Sequence, residues 1–156
     1  MDNRQAAQLL IDQLADEIDL AGLAFDDEGL IELQVGEGKL VTIAVDPTED
    51  ALLLVASVAG PLDGLPAATL RKLLQRNAAA YATGAAFSAV DPGTRHLILQ
   101  QQIPLPGLGY TAFSDALKAI IAEQDRLSDE LVPQLASAAP STLDGSSAAA
   151  GAGIRV

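Results

Sequence analysis

The stretch "LRKLLQRNAAAYATGAAFSAVD", Leu70 to Asp91, decides how the rest of the chain is read. Leu70, Leu73, Leu74, Asn77 and Tyr81 recur at helical spacing, yet the middle is Ala78-Ala79-Ala80, with Ala82 and Gly84 close behind. Gly84 is a natural stop, because glycine takes the left-handed conformation that closes a last helical turn. "AAFSAVD" then reads as a strand. So little side chain in a central helix has two explanations. Either the segment is packed too tightly for larger residues, or it is a weak region of no consequence.

Outward from this helix the pattern is regular. Residues 3–21 read as a first helix, with Leu10, Leu14 and Ile18 every fourth residue, Asp2 or Asn3 as cap and Gly22 as stop. The period then falls to two. "GLIELQV" alternates Ile31, Leu33 and Val35 against Glu32 and Gln34, "GEGK" supplies a glycine turn, and "LVTIAVD" is a second strand. After the "DPTED" loop, "ALLLVASVA" is apolar on both faces, as expected of a strand that is central or covered on both sides. These three strands make an antiparallel meander.

"GPLDGLP" breaks the pattern before the central helix, with Pro66 in its first turn. "AAFSAVD" and "HLILQQQIPL" flank the turn "PGTR" as a hairpin. A last helix spans about Thr111 to Val132, and Pro133 ends it. The order α-β-β-β-α-β-β-α is an α+β fold over residues 1–136. Residues 137–156 are an Ala/Ser/Gly-rich tail, expected to be disordered because it buries too little apolar area to offset its ordering entropy.

Composition narrows the function classes. The 156 residues are 49% hydrophobic and only 3% aromatic, so the core is aliphatic. No cysteine is present, which removes disulfides and thiolate metal sites. Net charge is −12, and residues 1–50 hold 13 acids against Arg4 and Lys39. Nucleic acid and anionic membranes are poor partners for such a surface. No apolar run approaches the ~20 residues of a membrane span, so no membrane insertion is expected. The simplest location is a reducing cytoplasm.

No pattern for catalysis, cofactor or metal emerges. "GEGKL" lacks the first glycine of a phosphate loop, with Leu33 in its place, and Leu40 follows the lysine where Ser or Thr is needed. "DPTEDA" has Ala51 where a calcium loop needs glycine. His96 is the only histidine, so two imidazoles cannot meet within one chain. What remains is apolar surface suited to a groove or to strand addition.

At this point the residues resemble a family. A small, acidic, cysteine-free α-β-β-β-α-β-β-α chain is similar to the class I type III secretion chaperones, the CesT/SycE-like or Tir-chaperone family, over roughly residues 5–132. The likeness rests on "LLIDQLADEIDLAGLAFDDEGLIEL", on "HLILQQQIPL", and on an LLxxN element, here Leu73-Leu74-Gln75-Arg76-Asn77, followed by small residues and a strand. The resemblance implies a homodimer without ATP or other cofactor. It would hold the N-terminal chaperone-binding segment of secreted effectors in extended form, keeping them soluble and secretion-competent. It leaves room for the secretion apparatus ATPase as a further partner. An adaptor or regulator of the same fold that binds a folded partner is an alternative, and so is a small ligand-binding domain.

The opening helix then gains a role. Leu70, Leu73, Leu74 and Tyr81 would anchor it to its own sheet. The candidate dimer seam is Leu70, Leu74, Asn77, Ala78, Ala79, Ala80, Tyr81 and Gly84, whose small members let a second copy approach closely. Candidate effector-binding residues, which serve equally as core, are Leu10, Leu14 and Ile18 on the first helix and Leu30, Leu33, Val41 and Ile43 on the first hairpin.

Overall fold

The structure, a computed structural model, describes residues 1–138. Its elements follow the expected order: α1 (Asn3–Glu17), β1 (Leu30–Val35), β2 (Lys39–Asp46), β3 (Ala51–Ala59), α2 (Ala67–Thr83), β4 (Phe87–Val90), β5 (Leu97–Pro104) and α3 (Tyr110–Ala138). The five strands form one antiparallel sheet in the order β1-β2-β3-β5-β4. β3 therefore lies at the centre, which accounts for its apolar residues on both faces.

One face of the sheet carries the core. Ile31, Leu33, Val41, Ile43, Leu52, Leu54, Ala56, Leu97 and Leu99 pack there against Ala7, Leu10, Ile11 and Leu14 of α1 and Phe113, Leu117, Ile120, Leu127 and Leu131 of α3. Each leucine so buried contributes about 2 kcal/mol of transfer free energy. α3 lies across β3 and β5, α1 contacts β2 and α3, and α2 lies beside β4. The opposite face, with Leu53, Val55, Ile98 and Phe87 half-buried, takes no part in this core.

Local chemistry explains the boundaries. Asp2 caps α1, accepting from the Gln5 backbone N–H at 2.7 Å, while the Gln5 side chain accepts from Asp2 N–H at 3.3 Å. α1 ends at Glu17, four residues short of the expected position. Asp19 already adopts φ 54° and the Leu20 N–H turns back to the Ala15 carbonyl, so the chain leaves the helix before Gly22. At the other helix of interest Gly84 does close α2, with φ 70°.

Pro133 does not end α3, which continues through it to Ala138. Proline costs a helix one backbone hydrogen bond, and tertiary contacts hold the turn beyond it. Leu131 is buried and Leu135 packs against the core. The Gln134 side chain donates to the Glu130 carbonyl (3.2 Å) and accepts from the Thr69 hydroxyl on α2 (2.6 Å). The helix thus crosses the boundary expected at residue 136, and the remainder of the expected tail, 139–156, lies outside the described residues.

Candidate functional site

The candidates on α1 and the first hairpin divide sharply. Leu10, Leu14, Leu33, Val41 and Ile43 are core residues, none more than 9% exposed. They line no surface groove in this conformation, because their helical and strand periodicities point into the shared interior of α1 and the sheet. Ile18, at the α1 C-cap, is 47% exposed, and Leu30 is half-buried on the opposite sheet face. Leu9, Leu20 and Leu40 are also exposed, and the sequence pattern did not single them out.

The seam candidates on α2 also sort by face. Leu73 is buried, with Thr69 beside it, and is the one residue of the four expected anchors that faces inward. Leu74 (70% exposed) and Tyr81 (84%) point to solvent, and Leu70 lies at 38%. The expectation that these three anchor α2 to its own sheet is therefore corrected. They lie about 60–100° round the helix from Leu73, on the flank beside the inward stripe. Ala78, Ala79 and Gly84 are exposed and Ala80 is half-buried.

Asn77 does something the spacing alone could not reveal. Its side-chain oxygen accepts from Ser88 N–H at 2.7 Å, and its side-chain nitrogen donates to the Ser88 carbonyl at 2.8 Å. β4 is an edge strand. In its antiparallel ladder with β5, Asp91 N–H bonds to the His96 carbonyl, so Ser88 and Val90 turn their backbone groups outward. The Asn77 amide occupies the Ser88 pair as a neighbouring strand would.

At the other edge, β1 is fixed at its start. Asp26 accepts from Leu30 N–H through its carboxylate (2.8 Å), and its own N–H donates to the Leu30 carbonyl (3.0 Å). By the same alternation Glu32 and Gln34 direct N–H and C=O away from β2. No group among the described residues bonds to them.

Between α2, α3 and β5 lies a cleft of about 440 Å³, lined by Asn77, Ala80, Ala86, Leu99 and Ile120. Arg76, Glu123, Arg126 and Glu130 form an ion-pair network beside it: Arg76–Glu130 at 3.1 Å, Arg126–Glu130 at 3.2 Å, and Arg126 against Glu123. The Arg76 hydrogen bond, opposed by slight burial and aided by Arg126, holds the Glu130 carboxyl below its ordinary value. Nothing in this network is arranged as a nucleophile with a base. Among the described residues no group of three His, Asp or Glu side chains could hold a metal, and no helix is long and apolar enough to cross a membrane.

His96 belongs to the β4–β5 turn. Its Nδ1 lies 3.0 Å from the Thr94 carbonyl, and a Cβ on Gly60 would come within 2.8 Å of its ring. Only glycine permits that approach. Gln124, which no sequence pattern singles out, is fully buried in α3. Its amide donates to the carbonyls of Leu40 (3.2 Å) and Ser57 (2.5 Å), just past the point where the β2–β3 ladder opens.

Three solved structures share the arrangement. The chain of the ExsC-ExsE complex is 26% identical, with a TM-score of 0.74 over 83% of this chain and 96% of that one. The HopA1-SchA chaperone-effector complex gives 17% identity and 0.71, covering 81% and 95%. The ExoT-SpcS complex from Pseudomonas aeruginosa gives 24% and 0.59, covering 78% and 97%. No curated protein matches the sequence. The model of the Tir chaperone protein (CesT) family matches residues 9–128, and the chain belongs to that family.

Proposed function

We propose that the protein is a type III secretion chaperone. It binds the N-terminal segment of one or more secreted effectors in extended form and keeps them soluble and secretion-competent, without catalysis or ATP. Family membership supports this reading, as does likeness to chains solved as chaperone–effector complexes. The geometric observation that carries it is the free edge of β1, where Glu32 and Gln34 offer two residues of unpaired backbone. An extended client segment adds there as a sixth strand, and its main chain supplies affinity for many sequences. Ile18 and Leu30 are the accessible members of the client-side candidates.

The working form in this reading is a cytoplasmic homodimer. Leu70, Leu74 and Tyr81 make an exposed apolar stripe on α2, the kind of surface a stable monomer rarely leaves bare. Asn77 is already committed to β4, so the second copy meets side chains of α2, with Ala78 and Gly84 permitting close approach.

Size-exclusion chromatography with light scattering tests the dimer; a monomeric mass at micromolar concentration removes it. Affinity capture from the source cell with mass spectrometry tests the client. The expected result is a secreted protein that protects its own N-terminal segment from proteolysis when bound. If bound proteins are instead folded and protected nowhere near their N-termini, the adaptor reading replaces this one.

A further inference from the structure

Resting on the client-binding reading above, we infer that the segment added to β1 is a basic amphipathic strand, with apolar residues alternating with Lys or Arg. Two independent observations meet at this edge. The first is the ladder geometry. A strand paired with Glu32 and Gln34 sets alternate side chains beside Ile31, Leu33 and Val35 on the core face. The intervening side chains fall beside Glu32 and Gln34 on the solvent face, because neighbouring strands keep their pleats in phase.

The second observation is charge. Asp26, Asp27 and Glu28 lead directly into β1, Glu32 lies on it, and Glu37 sits in the turn that follows. The two local cations are already engaged. Arg4 donates to the Phe25 and Asp26 carbonyls, and Lys39 pairs with Asp125 on α3. The edge is therefore bracketed by carboxylates that have no basic partner within residues 1–50. A client strand with Lys or Arg on its outer face supplies those partners, directly opposite Glu32 and diagonally along the strand. A client with acids at the same positions is repelled, so the edge selects by charge where its backbone cannot.

The test uses dye-labelled ten-residue peptides and the full chain, read by fluorescence anisotropy and by hydrogen exchange at Glu32 and Gln34. One peptide alternates Val and Lys, a second alternates Val and Glu, and a third carries Pro at every outward position. The expected order places Val/Lys roughly tenfold or more tighter than Val/Glu, an advantage that shrinks as salt rises. Glu32→Lys, at an exposed position, narrows or reverses the preference. Protection of the Glu32 and Gln34 amides accompanies Val/Lys binding and is absent with the Pro peptide.

Equal affinity of the two charged peptides, with protection in both, overturns the charge inference and leaves strand addition standing. Binding without protection at Glu32 and Gln34 overturns the β1 site itself. A captured effector whose protected segment is acidic overturns the inference while the chaperone reading survives.

Discussion

The two edges of the sheet differ in one respect that organises the molecule. β1 ends in free backbone at Glu32 and Gln34, while β4 meets the Asn77 amide, which takes the N–H and C=O of Ser88. Both strands are short, and natural proteins normally blunt such edges. Here one is blunted by a side chain from the adjacent helix and the other is left available. The lesson is that openness on this sheet is selective. The helix that closes β4 is also the helix that presents Leu74 and Tyr81 outward, so this side of the sheet presents side chains, whereas β1 presents main chain.

The comparison breaks most visibly on the α2 side. Leu74→Glu places a charge in the proposed seam, and burying it unpaired costs about 3 kcal/mol or more, over 100-fold in dimer dissociation. Light scattering should then report half the wild-type mass. Ala79→Glu, which belongs to the seam expected from sequence but lies about 140° round the helix from Leu74, should leave the mass unchanged if the seam is confined to the Leu70-Leu74-Tyr81 stripe; if both variants dissociate, the full seam expected from sequence stands. Asn77→Ala removes the β4 closure, and urea denaturation should show a loss of about 2 kcal/mol for two hydrogen bonds to partly buried backbone. Hydrogen exchange at Ser88 should rise in the same variant; unchanged exchange there would mean that Asn77 does not close the edge.

Gln34→Pro attacks the opposite edge. Proline is tolerated where an edge N–H faces solvent, so stability should change by less than about 0.5 kcal/mol. Client affinity should fall roughly tenfold for one lost main-chain bond and a steric block. If the affinity stands, the client does not use β1.

The smallest effect concerns the ion pair that ties α2 to α3. Glu130 titrates below its ordinary value in the folded protein because Arg76 binds its carboxylate. Its contribution is present above the unfolded carboxylate range near pH 4.5 and disappears as pH falls through the folded value. Both partners are partly exposed, so the increment is under about 1 kcal/mol. Arg76→Ala should remove it at pH 7, and the loss should shrink progressively as pH falls below the ordinary carboxylate range, as measured by urea midpoints across that range.

Much of this architecture is legible in the sequence because period is a local property. The switch from Leu10-Leu14-Ile18 to Ile31-Leu33-Val35 marks α1 and β1, the glycines at 36 and 38 mark the turn after β1, and Gly84 marks the end of α2. Orientation is not local. Leu73 and Leu74 are equally apolar and adjacent, yet one is core and the other is solvent-exposed. Only the seat of α2 against β4 decides between them. The same ambiguity made Leu10 and Leu14 plausible groove residues when the sheet in fact covers them. Asn77, Gln124 and Gln134 read as polar positions on helices, and their partners lie 11, 67 and 65 residues away. The passage of α3 through Pro133 depends on one of those distant contacts.

The Asn77 closure also has a consequence for how copies can multiply. A sheet with two free edges can pair head to tail, β1 of one copy onto β4 of the next, and such a heterologous contact repeats without limit. With Ser88 already satisfied, β4 retains only Val90 as an outward residue, too little to receive a strand. Growth along the sheet therefore terminates at every copy. A protein whose task demands one sticky edge can keep that edge exposed at high concentration in the cell without threading its own kind into fibres.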